Sequence, residues 1–204
     1  MYWIIASFIM FAVFCIWSRI EVSIKMKQED DTEKKFWKRE LEANSVRRKP
    51  IDHLDYIKVP DNLPVDLLKD NDDVQAIIAT INNLKDDKIL NLTGYTNTDL
   101  KLEYGAPNIT ELSKYDQSYT LLITSLQKWA DILIDNGYQK EAIDIMEYLV
   151  STKADIGKTY RLLAKFYKAQ NMNDSYANLI AVASSLKSLN GPNIVTWLKD
   201  YQSQ

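Results

Sequence analysis

Asn97, Asp99, Lys101 and Tyr104 lie close together in residues 91–108, the most polar-patterned stretch of the chain, and offer an amide, a carboxylate, an amine and a phenol. Brought onto one surface, such a set makes a small polar pocket able to hold a polar ligand or to relay a proton. The same residue types are also what turns and helix caps demand. A turn at Gly94, a short helix capped near Thr96 or Thr98, a stop at Gly105 and a new start at Asn108 with Glu111 three residues on account for most of the stretch. Both readings stay open at this level, and an enzyme using carboxylates of this segment is the alternative the stretch allows.

Elsewhere the chemistry-bearing residues are sparse. The sole histidine is His53 and the sole cysteine is Cys15, so a zinc site would need an all-carboxylate remainder. No metal ligand set, cofactor motif, Gly-rich phosphate loop or G-x-S-x-G elbow is present. Asp70-Asn71-Asp72-Asp73 lacks the alternating ligands, central Gly and closing Glu of a calcium loop, and helix capping explains it. No catalytic residue is assigned. An acidic body and a sequence pI near 5.3 argue against nucleic acid as a partner.

The elements that carry these residues begin with an apolar segment. Met1 to Ser18 contains no charged side chain, and the run extends past Arg19 to Ile24 if that arginine reaches back to the headgroups. About 17 to 25 apolar residues span a hydrocarbon core as a helix, so residues 1–24 are expected to be a single transmembrane anchor in contact with the lipid bilayer. No basic residue precedes the run and no small-x-small site follows it, which disfavours a cleaved leader. Val13 and Phe14 before Cys15 disfavour a lipoprotein signal, and Trp3 and Trp17 suit the two interfaces. Arg19, Lys25, Lys27, Lys34, Lys35 and Lys38 all follow the run, predicting a cell-membrane, single-pass protein with a cytoplasmic body. The sequons at Asn91 and Asn108 would matter only on the other side.

Residues 1–50 carry a net +3 and the remainder −6. Residues 25–49 read as a charged juxtamembrane helix lacking Gly and Pro, and residues 50–71 as a proline-bracketed connector whose Leu54, Tyr56, Ile57 and Val59 lie along the body. The body, residues 72–204, opens with a helix capped by Asp72 or Asp73, its apolar face Val74, Ile77, Ile78, Ile81 and Leu84.

Residues 119–189 repeat at an offset of thirty-four: Leu126 aligns with Tyr160, Trp129 with Leu163, Ala130 with Ala164, Leu133 with Tyr167, Gly137 with Asn171, Ile145 with Leu179 and Leu149 with Ala183. That period, with Trp129-Ala130, Leu133 and the run Gly137 to Ala142, resembles the tetratricopeptide repeat. The chain departs from the family pattern at Tyr176, which stands where the second unit's helix-B alanine belongs, and in lacking the terminal proline of either unit.

The fold class expected is therefore all-α: an N-terminal transmembrane helix followed by a tetratricopeptide-like body of antiparallel helical hairpins. Helices are predicted over 117–136, 139–152, 156–170 and 174–189, with Trp129, Ala130, Leu133, Ala142, Leu163, Ala164, Tyr167 and Ala183 buried between them, and a short helix through Ile194, Val195, Trp197 and Leu198 capping the stack.

The resemblance implies an inner wall made of the first helix of each hairpin. Thr124, Gln127, Asp131 and Asp135 would line it in the first unit, and Lys158, Arg161, Lys165 and Lys168 in the second. The four cations are expected to be exposed and not paired with Asp131 or Asp135, which suits a protein or peptide partner, acidic where it meets them. The function expected is a non-enzymatic scaffold recruiting such a partner near the membrane. A permanent structural subunit of a membrane complex is the alternative, favoured by exposed apolar patches around Tyr115, Tyr119 or Trp197.

Overall fold

A computed structural model describes the backbone of residues 2–203, with the side chains of residues 2, 4–9, 11–13 and 28 outside the description. The chain is all-α: α1 (Tyr2–Ser45), α2 (Asp72–Leu84), α3 (Asn97–Tyr104), a 3₁₀ turn (Ala106–Asn108), α4 (Ile109–Asp135), α5 (Gln139–Ser151), α6 (Gly157–Ala169), α7 (Asn173–Ser184) and α8 (Gly191–Gln202). Among the described residues no strand forms, and extended backbone meets only at a single bridge between Ile57 and Ile89. Two compact units result, one of Met1–Lys49 with Asn97–Pro107, the other of Pro50–Thr96 with Asn108–Gln204.

The first unit is built on α1, 44 residues without Gly or Pro and so an unbroken ladder about 66 Å long. Ion pairs one turn apart, Lys25–Glu21 at 3.1 Å and Lys34–Asp30 at 2.6 Å, support its exposed middle, each by a few tenths of a kcal/mol. Phe14, Ile16, Trp17, Ile20, Val22, Ile24 and Met26 stand more than half exposed along it. Among the described residues no helix is long and apolar enough to cross a membrane. The expected anchor over residues 1–24 falls in large part on side chains outside the description.

At its far end α1 receives α3. The Lys49 N–H donates to the Tyr104 carbonyl at 3.0 Å and the Ala106 N–H to the Val46 carbonyl at 3.2 Å. Gly105 permits this approach: its φ is +94°, and a β-carbon there would lie 2.2 Å from the Arg47 carbonyl oxygen, inside any real contact.

In the second unit α2 lays Val74, Ile77, Ile81 and Leu84 against α4. Its cap is Asn71, whose side chain accepts from the Val74 N–H at 3.1 Å, one residue before the predicted aspartates. The four predicted body helices correspond to α4 through α7, and all eight residues expected between them are buried, none more than 6% exposed. The first helix starts earlier than predicted, at Ile109.

The two hairpins end their first helices identically. Gly137 (φ +85°) and its repeat partner Asn171 (φ +56°) both turn left-handed, which glycine and asparagine tolerate best. The next N–H reaches back across each turn, from Tyr138 to Leu133 at 2.9 Å and from Met172 to Tyr167 at 2.8 Å. The thirty-four-residue offset therefore relates backbone hydrogen bonds as well as side chains, the signature of a Schellman close at each turn.

The connector is not a loose tether. Ile57, Val59, Leu63, Leu67 and Leu68 pack on the core, and the Tyr148 hydroxyl donates to the Lys58 carbonyl at 2.7 Å.

Candidate functional site

The same offset reaches one helix beyond residues 119–189. Gly157–Ala169 shifted by thirty-four begins at Gly191, the first residue of α8, and the buried Tyr160 and Ala164 map onto the buried Ile194 and Leu198. α8 thus stands in the register of a third first-helix rather than as an unrelated cap. It runs alongside and parallel to α6. At one end the Asn190 amide donates to the Asp155 carbonyl at 3.1 Å, and at the other the Lys168 ammonium donates to the Tyr201 carbonyl at 2.9 Å. The signal was present in Gly157/Gly191, Lys165/Lys199 and Tyr167/Tyr201, but a helix of twelve residues carries it on few positions.

Tyr176, the departure from the repeat, now has a physical account. It is 4% exposed, and its hydroxyl donates to the Leu198 carbonyl at 2.8 Å. Where Ala142 leaves room for a close helix pair in the first unit, the larger ring reaches α8 and fastens it.

Along the predicted inner wall, two different joints appear. Between α4 and α6 the chain neutralises itself. The Thr159 hydroxyl donates to the Gln127 side-chain carbonyl, the Gln127 amide donates to Asp131 at 2.9 Å, and Asp131 pairs with Lys158 at 2.8 Å. Gln127 is only 9% exposed, so it is an internal strut and not a groove residue. The expectation that Lys158 stands clear of Asp131 is corrected by the same contact: the two walls are close enough for the carboxylate to take the ammonium as its counter-ion.

Between α6 and α8 the arrangement is reversed. The position of Asp131 is taken by Lys165, and that of Lys158 by Pro192, so the chain supplies no acid. Lys168 is occupied, donating to Tyr201 with its ammonium 4.9 Å from the Tyr201 ring centroid, a cation–π geometry. Arg161 and Lys165 remain exposed and form no ion pair among the described residues. Of the four predicted cations only Lys158 meets a carboxylate of the chain, while Lys168 is held by Tyr201 with its charge uncompensated.

The polar stretch resolves differently. Asn97, Asp99, Lys101 and Tyr104 all lie on α3, and three of α3's polar side chains, Thr98, Asp99 and Lys101, are engaged with α1. Asp99 pairs with Arg39 at 2.6 Å, Lys101 pairs with Glu40, and the Thr98 hydroxyl donates to Glu40 at 2.7 Å. The Lys101 and Thr98 hydrogen bonds hold the Glu40 carboxyl below its usual range. The predicted pocket is thus a clasp of α3 onto α1, and its functional counterparts, Arg39 and Glu40, went unnoticed because they sit about sixty residues away. Asn97 is exposed beside it.

The aromatic residues whose exposure would favour a structural subunit are buried or half-buried. Tyr119 is 2% exposed and donates to the Thr152 carbonyl at 3.1 Å, and burial pushes its phenol well above the ordinary range. Tyr115 stands edge-on to Tyr56 with ring centroids 5.7 Å apart, the Lys88 ammonium over both rings. Trp197 is half-buried and stacks on Tyr201 at 4.9 Å.

Neither sequon offers a free acceptor. The Asn91 amide donates to the Tyr119 hydroxyl at 2.9 Å and to the Thr152 carbonyl at 3.0 Å, and Asn108 is 0% exposed. His53 is exposed. Among the described residues no group of three or more His, Cys, Asp or Glu gathers to hold a metal. A cleft of about 50 Å³ between Pro60, Pro64, Glu141 and Tyr148 is too small for more than a few waters.

No protein-family model matches the chain, and no curated protein and no solved structure matches it.

Proposed function

We propose that this protein is a membrane-anchored, non-enzymatic interaction module that holds an acidic segment of a protein partner on a tetratricopeptide-like helical body. The observation that carries the reading is the pair Arg161 and Lys165, exposed on one face of α6 without an internal acid. Two cations four residues apart on a helix repel one another, and an anionic partner removes that cost. Its field also accelerates encounter. The neutralised joint beside it, Asp131 with Lys158, supplies the contrast: where the chain needs no partner, it provides its own counter-ion.

Anchoring rests on residues 1–24. Their composition suits a bilayer, and the large apolar side chains exposed along that part of α1 are unfavourable in water by roughly 25 cal/mol per Å² of apolar surface. The basic residues after the run put the body on the cytoplasmic side.

The test uses the full chain in nanodiscs and a fluorescent glutamate-rich peptide. Binding should be measurable at low salt, weaken as salt screens exposed charges, and be lost on reversing Arg161 and Lys165 to Glu with the helical circular dichroism unchanged. Capture that survives both the reversal and high salt would remove the basis of the reading.

A further inference from the structure

We infer that the recognition surface continues from α6 onto α8, and that it takes an extended peptide whose acidic side chains are spaced to meet Arg161 and Lys165 on one helix and Lys199 on the next. This inference rests on the proposed acidic-partner reading and adds the partner's conformation and spacing to it.

Asp131, Lys165 and Lys199 are the same repeat position on α4, α6 and α8, and the parallel run of α6 and α8 is fixed by hydrogen bonds at both ends. Lys165 and Lys199 therefore project on the same side of neighbouring helices. Lys199 is exposed and forms no ion pair among the described residues. The acid nearest it in sequence, Asp200, lies about 100° further around the helix and pairs with neither lysine among the described residues.

Along the shared face of α8 the repeat positions before Lys199 carry no acid. Pro192 stands at the position of Lys158 and Val195 at that of Arg161, with Val195 half-buried. At the preceding joint the corresponding step carries the Asp131–Lys158 pair. The change of three residues, Asp131 to Lys165, Lys158 to Pro192 and Gln127 to Arg161, replaces a self-neutralised joint by one that presents cations on both helices and no acid at these positions.

Geometry then selects the occupant. Packed helices sit roughly 8–10 Å apart, and an extended chain advances roughly 3.3 Å per residue. A peptide crossing from α6 to α8 covers that gap in about three residues, so acids at i and i+3 reach both helices. A helical peptide covers only about 4.5 Å in three residues and would place the same acids too close together.

The experiment uses the full chain in nanodiscs and C-terminally amidated, fluorescein-labelled peptides, amidated so that only side-chain carboxylates are read. Each carries two Glu in a Gly/Ser background, spaced i,i+1, i,i+3 or i,i+7. The i,i+3 peptide should bind about threefold to fivefold more tightly than the others, the scale of one exposed ion pair. Lys199→Glu, or the milder Lys199→Gln, should erase that preference and leave the common weak binding in place.

A Lys199→Glu variant that keeps the i,i+3 preference overturns this inference alone. An Arg161→Glu/Lys165→Glu variant that binds all peptides as before overturns the acidic-partner reading beneath it. Selective displacement by inorganic phosphate, beyond the effect of sodium chloride at equal ionic strength, would assign the surface to a phosphate group and overturn the spaced-carboxylate assignment.

Discussion

Replacing Tyr176 by alanine restores the residue that the repeat has at Ala142, and we expect it to harm the protein. Tyr176 is 4% exposed, with its ring between α7 and α8 and its hydroxyl on the Leu198 carbonyl at 2.8 Å. Truncating a buried aromatic side chain costs about 3–5 kcal/mol through lost transfer energy and the cavity left behind. Tyr176→Phe removes only the hydrogen bond and should cost about 0.5–1.5 kcal/mol.

Because the ring reaches α8, the damage should be uneven. Amide exchange across residues 191–202 should accelerate more than across α4 and α5, the behaviour of a terminal unit opening by itself. Urea unfolding followed by circular dichroism gives the magnitude, and hydrogen-exchange mass spectrometry gives the location. A Tyr176→Ala protein as stable as the parent, or one whose protection falls equally everywhere, would refute the idea that this residue trades the close-packing alanine for a fastening of α8.

Three further outcomes are expected. Ala164 is 0% exposed at a helix crossing, so Ala164→Leu should cost about 1–3 kcal/mol by overpacking, read as a lower urea midpoint. Burial pushes the Tyr148 phenol up to about 12 and moves Tyr119, Tyr160 and Tyr167 in the same direction. Since their folded values lie above the ordinary 10, this stability is intact below pH 10 and is lost as pH rises from there through the folded values. An alkaline titration should therefore show tyrosinate absorbance of these residues appearing together with unfolding. If the proposed orientation holds, a cysteine at Ser203 should resist membrane-impermeant thiol reagents in intact cells until the membrane is permeabilised, and prompt labelling would reverse the topology.

The sequence by itself determined the helical body because its information there is local and periodic. The spacing of Val74, Ile77, Ile81 and Leu84, and the thirty-four-residue alignment of Trp129, Ala130 and Leu133 with Leu163, Ala164 and Tyr167, specify which face of each helix is apolar. Burial followed those faces closely. Helix ends were legible where a single residue type decides them, as at Gly137, and less so where several caps compete, as at Asn71 beside Asp72 and Asp73.

The tertiary structure alone decided which polar groups are consumed. Nothing local to Lys158 says that Asp131, twenty-seven residues earlier, neutralises it at 2.8 Å, or that Lys101 and Asp99 are claimed by Glu40 and Arg39. A charged side chain reads the same in sequence whether water or another residue solvates it, because its partner is set by packing between distant segments and not by periodicity. For that reason a polar pocket became a clasp, and one of four cations found its counter-ion within the chain. It is also why the fitness of Tyr176, an error by the logic of the repeat, became visible only once α8 stood beside it.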